Sequence, residues 1–143
     1  MPVTDCLAPA DTDFLSLFET CTLPEAEWTH AAHIRVAWIL LNLQSPDVAI
    51  GRVRDGILRY NTEVLNRRHK YHETVTVAFT RIVASRMREN EPWDDFALRI
   101  DDVLDPDDPI LLRYYSKDRL FSENARKEFI EPDLQKIPPL GDN

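Results

Sequence analysis

Three of the four histidines stand where they could act together. His30 and His33 share one face of a predicted helix, because residues three or four positions apart lie on the same side. That face continues as an apolar stripe of Ile34, Ala37 and Leu41. His72 begins a second stripe of the same kind, made of Val75, Thr76, Phe79, Ile82 and Val83. The pattern predicts three imidazoles that point toward the core near two helix N-termini.

A metal site is the first interpretation of this group. Three imidazoles suit zinc, iron, copper or nickel, so His30, His33 and His72 are predicted ligands of a divalent transition metal (Zn, Fe, Cu or Ni). Glu73 is a candidate fourth ligand or hydrogen-bond partner of an imidazole, and Tyr60 is a candidate supporting group. With one open coordination position, these five residues would form a catalytic site.

A second interpretation needs no metal. Two helix N-termini that face one pocket present free N–H groups and partial positive charge, which favour a small organic anion. The histidines there would stay neutral and could serve as general bases. Candidate ligand-binding residues are the hydroxyl-bearing and cationic side chains Thr29, Thr74, Thr76, Arg35, Tyr115, Arg119 and Arg126. A third interpretation is a structural network that satisfies each buried imidazole.

Helices must position these side chains. The chain has only three glycines and is rich in Leu, Ala, Glu and Arg, a composition typical of helical proteins. We expect a short helix from about 11, long helices over about 29–43, 46–65 and 72–89, and a fourth amphipathic helix over 93–104. Short connections make successive helices antiparallel, so the helices that begin near 29 and 72 start at the same end. The predicted fold is an all-α bundle of four to five helices.

The two ends of the chain lack long periodic segments. Residues 1–10 contain two prolines and are predicted to be a loose N-terminus. Residues 105–143 are predicted to form an irregular C-terminal strap of short helical turns, with an extended, proline-containing exit. The polar cluster around Tyr115 and Arg119 could instead make this segment a lid over a small-molecule pocket. We expect residues 1–143 to form one domain.

Charge and composition limit the classes of partner. A formal net charge of −8 disfavours nucleic acid or an anionic membrane as the main partner. No apolar run is long enough for a membrane span and no signal pattern opens the chain, so a cytoplasmic location is expected. Cys6 and Cys21 form neither a disulfide framework nor a metal quartet. The helix over 29–43 is apolar on nearly all sides, which its own chain or a homodimer could cover.

Three motifs resemble those of a family of small bacterial helical proteins. They are Trp28-Thr29-His30-x-x-His33-Ile34, Lys70-Tyr71-His72-Glu73-Thr74-x-Thr76, and a tail with Tyr115-Ser116, Arg119-Leu120, Ala125-Arg126 and Glu131-Pro132-Asp133-Leu134. The resemblance covers most of the chain, and its most specific part is the segment around His72. It implies a single compact domain and directs attention to these residues, but it carries no chemistry.

These observations lead to one functional prediction with two alternatives. The protein is expected to be a small cytosolic protein with a histidine-rich pocket at one end of a helical bundle, acting as a metal-dependent enzyme on a small molecule. The first alternative is a metal-free binding module for a small organic anion. The second is a protein-interaction domain that uses the acidic surface.

Overall fold

The computed structural model describes residues 6–140, which contain helices and no strand. The four longer helices are α1 (Pro9–Glu19), α2 (His30–Leu43), α3 (Pro46–Glu63) and α4 (Glu73–Arg86). The shorter ones are α5 (Trp93–Leu98), α6 (Asp101–Leu104), α7 (Lys117–Leu120) and α8 (Glu123–Lys127), and 3₁₀ turns occupy Glu25–Glu27, Arg68–Lys70 and Ile110–Arg113. The predicted all-α fold is confirmed. None of the helices within 6–140 has the length and hydrophobicity to cross a membrane.

Helix α2 is the centre of the bundle. It begins after Thr29, whose side-chain oxygen accepts a hydrogen bond of 3.2 Å from the Ala32 amide and so caps the helix. It packs against α1, α3, α4 and α6. Residues on nearly every side of it are buried, including Ile34, Val36, Trp38, Ile39 and Leu40. Its own chain therefore covers the apolar surface for which a homodimer was one predicted solution.

Helix α3 follows α2 closely and approaches α1. Pro46 occupies its first turn, as the Ser45-Pro46 sequence predicts. At Gly56 the missing side chain leaves room for the ring of Phe18, because a Cβ there would lie 2.4 Å from Phe18 Cε2. Phe18 is fully buried. Close approach of α1 and α3 therefore depends on glycine at position 56.

The predicted helix over 93–104 is divided into α5 and α6 by Arg99 and Ile100, so a single helix was the wrong prediction. The guanidinium of Arg99 donates to the Arg86 carbonyl at 2.9 Å and is paired with Glu91. Ile100 is fully buried beside Phe96. The break lets Arg99 reach the end of α4 while the apolar residues stay inside.

The structure departs from the prediction more at the N-terminal end than at the C-terminal end. Helix α1 already begins at Pro9, where Asp11 in its first turn accepts a 2.8 Å hydrogen bond from the Ala8 amide. The predicted loose segment over 1–10 is therefore shorter than expected, and its first five residues lie outside the described part of the chain. In the predicted strap, residues 105–140 form short turns joined by irregular segments, and α8 packs against α4.

Candidate functional site

A partly enclosed cavity of about 370 Å³ lies between α2, α3 and α4. Its size falls in the range of about 300–1,000 Å³ that is usual for small-molecule sites. Helix α2 lines it with the first two turns and α4 with its N-terminal half, while α3 contributes residues from its middle. The lining residues are His30, His33, Ile34, Ala37, Val53, Ile57, Val75, Thr76, Phe79 and Thr80. The walls are therefore mainly apolar, with two imidazoles and two hydroxyls.

The imidazole of His33 is held in one orientation. Its Nδ1 lies 2.7 Å from the Thr29 carbonyl oxygen, which can only accept, so Nδ1 carries the hydrogen. The other nitrogen, Nε2, then has a free lone pair. Burial lowers the pKa of His33 to about 4, helped by the nearby imidazole of His30 and opposed by the bond to Thr29. At neutral pH this ring is an uncharged hydrogen-bond acceptor.

The imidazole of His30 is held in the same way by a different element. Its Nε2 lies 2.8 Å from the carbonyl oxygen of Val103 in α6, so this nitrogen carries a hydrogen. The ring meets Phe79 edge to face, with centroids 5.2 Å apart. Both imidazoles of the cavity therefore donate to backbone carbonyls.

Two threonines from α4 complete the polar part of the cavity. Thr76 donates its hydroxyl hydrogen to the His72 carbonyl at 3.1 Å, and Thr80 donates to the Thr76 carbonyl at 2.8 Å. Both side chains are buried. Thr76 is a predicted ligand-binding residue, whereas Thr80 was missed, although it lies four residues later on the same helical stripe.

His72 has a different role from the other two histidines. It caps α4, since its Nδ1 accepts a hydrogen bond of 3.2 Å from the Val75 amide. Its Nε2 donates to the Leu120 carbonyl at 2.8 Å, so both ring nitrogens are engaged and the ring is neutral. Burial lowers the pKa of this imidazole, despite the opposing bond to Leu120.

This use of His72 changes the predicted metal site. His72 is not among the residues that line the cavity, and neither nitrogen offers a lone pair to a metal. Within residues 6–140 no group of three or more His, Cys, Asp or Glu side chains is arranged to hold a metal ion. The predicted grouping of His30, His33 and His72 as metal ligands is therefore not formed, because the third imidazole serves as a helix cap.

The two supporting groups also have structural partners. Glu73 accepts hydrogen bonds from Arg54 Nη2 at 2.6 Å and from the Tyr71 hydroxyl. Burial raises the pKa of the Glu73 carboxyl, but these two hydrogen bonds outweigh burial and leave the pKa below its usual value. Tyr60 is fully buried and donates to the Leu23 carbonyl at 2.7 Å. Neither residue lines the cavity.

Two candidate ligand-binding residues near the start of α2 lie outside the cavity. Thr29 caps α2, and its carbonyl oxygen accepts the hydrogen bond from His33. It therefore affects the cavity only by orienting that imidazole. Arg35 pairs with the buried carboxylate of Asp11 at 2.6 Å and lies over the ring of Phe14. Its charge is therefore used to join α1 and α2 rather than to bind in the cavity.

The remaining candidates join the strap to α4 or to itself. Thr74 donates to the Glu128 carbonyl at 2.9 Å and accepts from the Ile130 amide at 3.2 Å, while the hydroxyl of Tyr115 donates to the Ile130 carbonyl at 2.6 Å. Arg119 donates to a carbonyl of the strap itself, that of Glu131, at 2.6 Å. The guanidinium of Arg126 lies 3.5 Å from the carbonyls of His69, Lys70 and Tyr71. The hydrogen bonds of Thr74 and Arg126 thus connect the strap to the N-terminal end of α4 and the residues just before it. None of these four side chains lines the cavity.

Comparisons of the chain with protein-family models, with curated proteins and with solved structures found no match. The chemistry of the cavity is therefore the guide to function. Its polar groups are two imidazoles, of which that of His33 is neutral, and two hydroxyls, set among apolar side chains from three helices. Such a site can enclose an apolar molecule and fix its orientation with hydrogen bonds.

Proposed function

We propose that the protein binds a small, mainly apolar molecule in the cavity between α2, α3 and α4. The observation that supports this most is the fixed imidazole of His33, which has an unprotonated nitrogen and lines a mainly apolar cavity. A few oriented polar groups among apolar walls are typical of small-molecule sites.

Binding has better support than acid–base catalysis. A general base works best when its pKa lies near the operating pH, whereas burial brings the pKa of His33 to about 4. The ring is then a weak base at neutral pH but a good hydrogen-bond acceptor. Its fixed tautomer would orient a ligand without first having to lose a proton.

A metal-dependent enzyme is the second candidate. It is favoured by His30 Nδ1 and His33 Nε2, two ring nitrogens of cavity-lining residues that have no hydrogen-bond partner within residues 6–140. It has less support because catalytic zinc sites use three protein ligands. Adding Zn(II) and measuring the melting temperature tests it. A rise that is lost in both His30→Ala and His33→Ala, but kept in the exposed-site variant His69→Ala, would favour this candidate over the first.

The cavity can be tested with a fluorescent apolar dye and one cavity-filling variant. Phenylnaphthylamine gains fluorescence when it enters an apolar site, and we expect it to bind the unaltered protein with one site per chain. Ala37→Leu should reduce the affinity at least tenfold, because Ala37 is buried and lines the cavity.

Ala31→Leu is the matched control, since Ala31 is an exposed residue of the same helix and lies outside the cavity lining. It should bind the dye as the unaltered protein does. Equal binding by Ala37→Leu and Ala31→Leu would contradict the proposal. A melting curve for each variant separates loss of binding from loss of the fold.

A further inference from the structure

The polar side chains of the cavity share a property that restricts the ligand. Each donates a hydrogen to a backbone carbonyl: His30 to Val103, His33 to Thr29, Thr76 to His72, and Thr80 to Thr76. Because a carbonyl oxygen only accepts, the nitrogen or hydroxyl that faces it must carry the hydrogen.

One nitrogen of each imidazole does not donate to backbone. These nitrogens are His30 Nδ1 and His33 Nε2, and within residues 6–140 neither has a hydrogen-bond partner. The neutral ring of His33 therefore offers an acceptor at Nε2. A ligand without a hydrogen to donate would leave that acceptor unpaired once it covered the ring, which is unfavourable.

Both anionic and cationic ligands are disfavoured. The lining contains no Lys or Arg to pair with an anion and no Asp or Glu to pair with a cation. An anion would also bring further lone pairs against those of His33. Removal of a charge from water into such a site costs much more than removal of a neutral polar group.

We infer that the ligand of this cavity is an uncharged, mainly apolar molecule with an O–H or N–H group that donates to His33. The inference rests on the proposed function and identifies the chemical class of its ligand. It replaces the small organic anion that the helix N-termini predict, because the lining contains no Lys or Arg and His33 offers an acceptor.

Three compounds of one shape test the inference at neutral pH: β-naphthol, its methyl ether and β-naphthoate. All three contain the naphthalene ring. β-Naphthol has an O–H donor, the methyl ether has only an acceptor oxygen, and β-naphthoate carries a negative charge. Displacement of phenylnaphthylamine from the unaltered protein measures each affinity. We expect β-naphthol to bind about tenfold more tightly than the methyl ether, the size of one good hydrogen bond, and β-naphthoate to bind least.

His33→Leu should lower the affinity for β-naphthol to that for the methyl ether and leave the ether unaffected, while His69→Ala should change neither. The ranking of the three compounds in the unaltered protein is decisive even if His33→Leu does not fold. If the ether or β-naphthoate binds as tightly as β-naphthol while the dye still binds, the ligand class is wrong and the binding function stands. If neither the dye nor any of the three compounds binds, both proposals are overturned.

Discussion

The imidazole of His33 stacks on the indole of Trp28, with ring centroids 3.7 Å apart and ring planes inclined by 28°. Trp28 stacks in turn on Phe18, at 4.6 Å between centroids. The indole fixes one face of the imidazole and the Thr29 carbonyl fixes one edge. Since both constraints come from residues next to the first turn of α2, the orientation of the ring follows from the local path of the chain.

His33 should contribute to the pH dependence of the free energy of unfolding. Its pKa is about 4 in the folded protein and 6.5 in the unfolded chain, so the unfolded state binds more protons between these values. The free energy of unfolding should therefore fall as pH drops from 6.5 toward 4, by at most about 1.4 kcal/mol per pH unit from this group.

Urea titrations at several pH values measure this slope, and His33→Leu should make it shallower. The lowered pKa of His72 adds to the slope in the same direction, so the difference between the two proteins, not the slope itself, reports on His33. Identical slopes for the unaltered protein and the variant would show that burial does not hold this ring neutral.

His72 should stabilise the fold through two separable hydrogen bonds. His72→Ala removes the cap on the Val75 amide and the bond to Leu120, so we expect a loss of about 1–3 kcal/mol in the free energy of unfolding. His72→Asn keeps a good capping residue and should recover part of that loss. Equal stability of the two variants in urea denaturation would mean that the cap contributes nothing.

Thr74 should hold the strap against α4. Its fully buried hydroxyl donates to Glu128 and accepts from Ile130, so Thr74→Val leaves two backbone groups without partners. We expect a loss of about 1–3 kcal/mol. Hydrogen exchange at the Ile130 amide should become faster by a larger factor than exchange in the middle of α2. Thr74→Ser, which keeps the hydroxyl, is the control and should leave the Ile130 amide protected.

The two glycines of α3 should respond to alanine in opposite directions. Gly56→Ala places a methyl group against Phe18, so we expect a loss of about 1–3 kcal/mol. Gly51→Ala meets no atom within 4 Å and should stabilise the helix by about 0.5–1 kcal/mol. Thermal or urea unfolding of the two variants measures both. A stabilising Gly56→Ala would mean that α1 and α3 separate at little cost.

The long helices and part of the cavity follow from local patterns. Stripes with a helical period predict α2, α3 and α4, and the position of His30 and His33 at the head of one stripe predicts that both face inward. A periodic pattern depends only on residues a few positions apart, so it can be found in the sequence alone.

The role of His72 could not be predicted in this way. Its stripe is helical, but its ring is engaged by Leu120, which lies 48 residues later in the chain. The break between α5 and α6 has a similar origin, because Arg99 reaches the carbonyl of Arg86 on another helix. Such partners depend on how the elements pack, and helical periodicity carries no information about them.

The strap that closes the start of α4 has a consequence for synthesis of the chain. His72 and Thr74 leave the ribosome well before Leu120 and Glu128, which lie 48 and 54 positions further on. The nascent chain can bring α1, α2 and α3 together early, but the bonds of His72 and Thr74 to the strap must wait until Leu120 and Glu128 have been made. A chain released before position 120 would lack both bonds and should be cut more readily by proteases near the start of α4.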